Sequence, residues 1–139
     1  MALVPTGIKT GKFSLSIMCV IIWQNVVGYN GGMEDCVFCK IVRGEVPADK
    51  VYEDDEMMVF PDIKPSADTH LLFVSKKHGE EFDTIDLSKL ARMLDKVRTK
   101  IKEMGMPYRV AMNGSGANLV SNHMHIHLLG NVSSEAKLA

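Results

Sequence analysis

The spacing of apolar residues predicts one long amphipathic helix from Leu87 to Met104. Apolar side chains recur there every three or four residues, and the charged residues between them form the opposite face. Asp86 is the predicted N-cap, and Gly105 followed by Pro107 predicts the end of the helix. The charged residues on the outer face are typical of a solvated surface. This helix is therefore predicted to have a structural role and to carry no catalytic residue.

The rest of the pattern predicts a short helix and several short strands. The short helix is expected over Asp35–Arg43, with Asp35 as N-cap and Gly44 as its stop. Because strands outnumber helices and the connections are short, we expect an α+β fold built on an antiparallel sheet. The predicted strands are Val51–Glu53, Met57–Phe60, Leu71–Ser75, Tyr108–Met112 and His123–Leu129.

The last of these strands carries three histidines in alternation. Since successive strand side chains point to opposite faces, His123, His125 and His127 share one face, and the apolar residues among them face the core. A solvated face would mix lysine, glutamate and threonine, so this pattern favours a functional histidine face. The spacing alone suits either a metal site or phosphoryl chemistry with an attacking imidazole.

Residues 1–32 differ in composition from the remainder. Lys9 and Lys12 precede an apolar run over residues 17–23, which is shorter than the roughly 20 residues of a membrane span. We interpret 1–32 as a poorly ordered or non-native leader and 33–139 as one domain, with Met33 a sensible initiator. A membrane anchor or an additional packing segment is the alternative.

Composition narrows the class of protein further. A chain of 139 residues with 46% hydrophobic and 24% charged residues is typical of one globular domain. The net charge of −1 argues against a nucleic-acid binder with a broad basic surface, and no membrane association is expected. Three cysteines do not form a disulfide framework, which favours a reducing, cytoplasmic location.

Several segments together resemble the histidine triad (HIT) nucleotide-binding family, in the order that the family has them. They cover roughly residues 35 to 130, which is most of the chain. The resemblance implies a sheet of about five strands with a long helix, and a homodimer. The segments are Cys36–Pro47, Val51–Asp55, Phe60–Ile63, His70–His78 and the His-x-His-x-His run ending at His127.

The resemblance also implies a reaction and its residues. HIT enzymes hydrolyse or transfer at the α-phosphate of nucleoside phosphoramidates or dinucleoside polyphosphates, through a nucleotidyl-histidine intermediate. The central histidine of the triad attacks phosphorus, which assigns that role to His125. His127 would lie beside the phosphate, and His70 would orient the rings and relay protons.

Four further residues match the family's nucleotide-binding positions, for which a purine nucleotide is the expected ligand. Asp62 would accept hydrogen bonds from the two ribose hydroxyls. Ile63 and Phe60 would wall the base pocket, and Asn113 would donate to the α-phosphate. Taken singly, Asp62 is equally consistent with a loop cap and Asn113 with a turn residue.

The pair Cys36 and Cys39 has the spacing of half a zinc site. A zinc-containing branch of the HIT family completes such a site with two histidines, which are His78 and His123 here. A Cys2His2 set is closed, so the expected zinc is structural. Two buried thiols without metal are the alternative.

One segment departs from the family. Many HIT proteins carry Gly-Gln-Ser or Gly-Gln-Thr before the triad, where this chain has Asn118, Leu119 and Val120. The difference raises a second hypothesis, a nucleotide-binding or scaffold protein with weak catalysis. A third is a metalloenzyme whose triad binds a catalytic metal.

Overall fold

The computed structural model describes residues 36–114, 116–118, 120 and 122–134, and the predicted leader lies outside them. The predicted α+β fold is confirmed. Among the described residues, no helix has both the length and the apolar character needed to cross a membrane. The elements are α1 (Val37–Val42), β1 (Tyr52–Glu53), β2 (Met57–Pro61), β3 (Thr69–Ser75), α2 (Leu87–Met104), β4 (Tyr108–Ala111) and β5 (His125–Gly130).

The five strands form one antiparallel sheet in the order β1-β2-β3-β5-β4. In the central pair, Val74 lies opposite His125 and Leu72 lies opposite His127. Residues that face each other across a ladder point to the same side of the sheet. The histidines of β5 therefore share a face with alternate residues of β3.

Helix α2 covers the other face of the sheet and has the predicted bounds. The Asp86 side chain accepts a hydrogen bond from the backbone N–H of Lys89 at 3.0 Å, and Gly105 ends the helix with φ of 58°. Its buried residues pack in one cluster with Met124, Ile126 and Leu128. This confirms that the apolar residues alternating with the histidines face the core.

Helix α1 packs on the histidine face of the sheet. Phe38 and Ile41 lie in a second buried cluster with apolar residues of β2 and β3. The expected N-cap, Asp35, lies outside the described residues. Cys36 occupies the N-cap position: its carbonyl accepts the first helical hydrogen bond, from Lys40, and its side chain makes no capping hydrogen bond. Gly44 follows the last turn with φ of 77°, as its role as a stop requires.

His123 is not part of the strand that the sequence predicts from residue 123. Strand β5 begins at His125, whereas His123 makes a single parallel bridge to Glu80. The physical reason lies in the preceding residue, since Asn122 has φ of 55°, a left-handed conformation that interrupts an extended chain. His123 nevertheless remains on the α1 side of the sheet, with its ring 5.4 Å from that of Phe38.

Candidate functional site

Strands β3 and β5 bring three histidines together on the face that α1 covers. The ring centres of His125 and His127 are 5.0 Å apart, and those of His70 and His127 are 5.2 Å apart. His70 and His125 are each only 6% exposed, and His127 is half-buried. The three residues predicted to carry the reaction therefore form one compact cluster.

Hydrogen bonds fix the tautomers of His70 and His127. The backbone N–H of Ser66 donates to Nδ1 of His70 at 3.1 Å, so a neutral His70 carries its proton on Nε2. That nitrogen lies 2.9 Å from Nδ1 of His127, which must accept. His127 consequently presents an Nε2–H that is buried and has no partner among the described residues. A buried donor without a partner is costly unless a ligand accepts its proton.

The tautomer of His125 is fixed by the backbone. Its Nδ1 lies 2.8 Å from the carbonyl oxygen of His123, and because a carbonyl only accepts, this nitrogen carries the proton. The lone pair of the neutral ring is therefore on Nε2. Burial lowers the pKa of His125 below the ordinary histidine value, which keeps the ring neutral near pH 7. A neutral imidazole with a free Nε2 is a competent nucleophile.

Burial also keeps the other two rings neutral. It lowers the pKa of His127 to about 4, with further lowering by the charges of His125 and His70. Burial lowers the pKa of His70, and the Asp62 carboxylate opposes that effect. An anion bound beside these rings favours their protonated forms, so a phosphate would draw a proton into the cluster.

Asp62 lies at the edge of this histidine cluster. One carboxylate oxygen accepts the backbone N–H of Lys64 at 2.8 Å, and the other is 3.5 Å from Nε2 of His70. The loop-cap interpretation of Asp62 thus holds for one oxygen. The second oxygen lies beside the rings, where it is available to a ligand.

The remaining predicted nucleotide-binding residues differ in their surroundings. Ile63 is half-buried next to Asp62. Phe60 is 3% exposed and packs in the core, with its ring centre 6.2 Å from that of Phe38. The carbonyl of Asn113 accepts the side-chain amide of Asn118 at 2.8 Å, which is the expected behaviour of a turn. Their roles toward a nucleotide stay predictions.

The first triad histidine points away from the other two. Nε2 of His123 lies 2.5 Å from the carbonyl of Ser75 and therefore donates to it. The unprotonated Nδ1 faces the sulfur atoms of Cys36 at 3.3 Å and Cys39 at 3.6 Å. Burial lowers the pKa of His123 to about 4, so this nitrogen keeps its lone pair at neutral pH.

His78 completes a four-residue cluster that can hold a metal ion. Its Nδ1 is 3.3 Å from the sulfur of Cys39, and the four ligand atoms of Cys36, Cys39, His78 and His123 all lie within 4.8 Å of one another. A tetrahedral zinc ion with two sulfur and two nitrogen ligands sets neighbouring ligand atoms roughly 3.3–3.8 Å apart. The three sulfur–nitrogen separations of 3.3, 3.3 and 3.6 Å fall in this range, and the two thiols and two imidazoles are the ligand types that zinc takes, so the residues fit the ion.

The triad does not form a single metal site. Besides the cysteine cluster, Asp62, His70 and His127 could also reach one cation. Among the described residues, neither group contains His125 or gathers all three triad histidines. The hypothesis of a triad-bound catalytic metal therefore lacks its ligand set.

Comparison with known proteins agrees with this geometry. The family model for "Scavenger mRNA decapping enzyme C-term binding" matches residues 35–138. An uncharacterized HIT-like protein of Methanocaldococcus jannaschii is 37% identical over 99 residues, covering 68% of this chain and 77% of that protein. The chain belongs to the histidine triad family.

Two other HIT proteins give the family an activity. An adenosine 5'-monophosphoramidase of Candida albicans is 32% identical over 104 residues, which are 68% of either chain. The structure of a HIT family hydrolase from Clostridium thermocellum superposes with a TM-score of 0.67 at 32% identity. That match covers 76% of this chain and 98% of the other.

Four contributors to the HIT site were not predicted from the sequence. The Ser66 N–H and the Ser75 carbonyl set histidine tautomers through the backbone, for which side-chain identity gives no signal. The Phe38 ring covers His125 at 5.0 Å. Glu81 is a buried acid whose carboxylate accepts the backbone N–H of Asn122 at 2.8 Å. In the sequence it cannot be told apart from a glutamate on the solvated surface.

A surface cleft of about 470 Å³ has no histidine in its lining and is less suited to a phosphate. Its cationic side chains are Lys76, Lys77, Lys89 and Arg92. Each is paired with a glutamate at 2.6–3.0 Å. Because these charges are already compensated, the cleft offers little attraction to an added anion.

Proposed function

We propose that this HIT protein hydrolyses or transfers nucleotides at the α-phosphate, with nucleoside phosphoramidates or dinucleoside polyphosphates as substrates. One observation carries the proposal. A neutral His125 with its lone pair on Nε2 lies beside His127, whose buried Nε2–H has no partner in the part of the chain that the structure describes. A nucleophile and a proton donor are thus adjacent. The phosphoramidase and hydrolase names of the relatives support the same chemistry.

The reaction follows from these two nitrogens. Nε2 of His125 attacks phosphorus, and the bond from phosphorus to the leaving group breaks as that group takes the proton of His127. The hydrogen bond from Nε2 of His70 to Nδ1 of His127 stabilises the His127 ring after it has given up this proton. Water then attacks the nucleotidyl-histidine and passes a proton back to His127, which releases the nucleoside monophosphate and restores both His125 and His127.

The most direct experiment supplies the protein with a panel of AMP derivatives and traps the intermediate. We expect turnover of an adenosine phosphoramidate. Protein denatured at alkaline pH, where a phosphorus–nitrogen bond to histidine survives, should carry AMP on a histidine by mass spectrometry. A matched incubation with AMP alone, which has no leaving group to expel, should give no adduct. Turnover without any adduct on histidine would contradict the covalent mechanism.

A nucleotide-binding or scaffold role with weak catalysis is the second candidate. The observation that favours it is Asn118, which stands in the segment where many HIT proteins have polar phosphate contacts. Its amide nitrogen donates to the Asn113 carbonyl, and its buried side-chain oxygen has no partner within residues 36–114, 116–118, 120 and 122–134. Ordinary nucleotide affinity with negligible turnover across the panel would select this role.

We infer that Asp62 recognises the ribose, since its second oxygen lies beside the histidine cluster. Asp62→Ala is expected to raise KM for an adenosine phosphoramidate about 10- to 100-fold, as loss of hydrogen bonds to a charged group predicts. The effect on kcat should be smaller. The matched control is the 2′-deoxy substrate, which should lose affinity in wild type and little more in the variant. If wild type and Asp62→Ala discriminate equally between the ribose and 2′-deoxyribose substrates, Asp62 only caps the loop.

We also propose zinc as the ion held by Cys36, Cys39, His78 and His123. Two thiolates and two imidazoles in tetrahedral arrangement suit zinc, and a closed set of four makes it structural. When bound, the ion fixes α1 to the loop before β5. Homodimerisation and purine preference stay predictions from the family resemblance. The cytoplasmic location stays a prediction from the cysteine content, and the division into a leader and a domain stays one from composition.

A further inference from the structure

The loop before β5 is fastened to the segment that follows β3. The backbone N–H of Gly79 donates to the carbonyl of Asn122 at 2.7 Å, and Glu80 bridges His123. The Glu81 carboxylate accepts the backbone N–H of Asn122 at 2.8 Å. Both backbone groups of Asn122 are therefore held by one short segment.

This fastening occurs at a strained residue. Asn122 has φ of 55°, a left-handed conformation that costs energy in residues other than glycine and is kept only where the surroundings enforce it. Glu81 is only 7% exposed, so its charge has been taken largely out of water. A hydrogen bond to a desolvated carboxylate is strong, which suits it to hold a strained turn.

The turn determines where the next carbonyl points. His123 follows Asn122 directly, and its carbonyl accepts the Nδ1 proton of His125 at 2.8 Å. If Asn122 relaxed to a negative φ, the His123 carbonyl would change direction and that hydrogen bond would be lost. His125 could then place its proton on Nε2, which removes the lone pair required for attack.

We propose that Glu81 is a positioning residue for the nucleophile: its carboxylate holds the Asn122 turn, and the turn keeps His125 protonated on Nδ1. The effect of Glu81 on catalysis rests on the proposed function. Its effect on the tautomer of His125 is independent of that function. The carboxylate is also close enough to His125 for its charge to act on that ring. The local loop contacts of Glu81, to Thr84 and Ile85, use its backbone and do not require the carboxylate.

The test separates the hydrogen bond from the charge. Glu81→Gln keeps an oxygen acceptor for Asn122, whereas Glu81→Ala removes it. We expect Glu81→Ala to lower kcat for an adenosine phosphoramidate about 10- to 100-fold with KM changed less than threefold. Glu81→Gln should stay within about threefold of wild type. Glu80→Ala is the matched control, because the carboxylate of that similarly buried neighbour pairs, among the described residues, with Lys77 and Lys89.

A spectroscopic measurement reads the tautomer without any substrate. In ¹⁵N-labelled protein, long-range proton–nitrogen correlations distinguish a ring protonated on Nδ1 from one protonated on Nε2. Wild type and Glu81→Gln should show His125 protonated on Nδ1, and Glu81→Ala should show a mixture. If His125 in Glu81→Ala is still protonated on Nδ1 and the metal content is unchanged, the inference is overturned. This outcome holds even if the wild-type protein turns over no substrate.

A second substitution at the turn provides a rescue test and guards against misfolding of the alanine variant. Glycine adopts positive φ without steric cost, so Asn122→Gly should make the carboxylate less necessary. We expect Glu81→Ala combined with Asn122→Gly to regain most of the lost kcat and the Nδ1 tautomer. Failure of the glycine to restore either property in a folded double variant overturns the role assigned to the turn.

Discussion

Replacing His125 by alanine is expected to lower kcat for an adenosine phosphoramidate by a factor on the order of 10⁴ or more, because it removes the nitrogen that attacks phosphorus. Nucleotide affinity should change little, since Asp62 and the apolar residues beside it are untouched. Single-turnover kinetics measure the chemical step, and calorimetry with AMP measures binding. The AMP adduct trapped in wild type should be absent from the variant.

Two matched variants sharpen the test of His125. His127→Ala removes the proton donor but leaves the nucleophile, so its loss should be smaller, about 10²- to 10³-fold, and smallest for leaving groups that need no proton. In His125→Gly, added imidazole should restore part of the turnover by acting as the missing ring. Persistence of turnover and adduct in His125→Ala would refute the assignment of the nucleophile.

Metal removal should have the largest effect on stability. With zinc bound, Cys39→Ser is expected to lose roughly 3 kcal/mol or more, which corresponds to about 10–20 °C in Tm for a domain of this size. The physical reason is that Cys39 contacts both His78 and His123, so its loss opens the cluster that joins α1 to the loop before β5. Differential scanning calorimetry measures Tm, and elemental analysis measures zinc per chain.

The controls for the metal prediction lie in the same chain. Cys19→Ser replaces the one cysteine that has no predicted ligand role, and it should leave zinc content and Tm unchanged. His125→Ala should retain one zinc per chain, because that ring belongs to neither candidate metal cluster. Full stability after complete zinc removal would show that the four side chains are held by packing alone.

Much of the fold could be predicted from local patterns. The observed bounds of α2 match the predicted ones, because the N-cap, the apolar periodicity and the glycine that ends the helix are all local features of the sequence. The four strands before β5 were predicted to within two residues at each end. The one error of consequence was the start of β5, since no local rule shows that Asn122 adopts a left-handed conformation.

The candidate site was predicted in part. Residue identity and order supplied the histidines, Asp62 and the cysteine pair, through the resemblance to the HIT family. The resemblance also assigned His123 to the cysteine site, which local spacing alone could not do, because Cys39 and His123 are 84 residues apart in the sequence. Phe60 was predicted to wall a base pocket; it is buried, and its role toward a nucleotide stays a prediction.

By itself, the sequence determined which chemical groups this protein owns and which side of a strand they occupy, because side-chain alternation and helix periodicity are local properties. Only the tertiary structure decided the protonation pattern of those groups. The proton of His125 is directed by a carbonyl, that of His70 by a serine N–H, and that of His123 by another carbonyl. Nearly every residue has the same backbone N–H and carbonyl groups, so the sequence does not show which of them will contact a ring. That depends on which backbone groups the fold brings close to the ring.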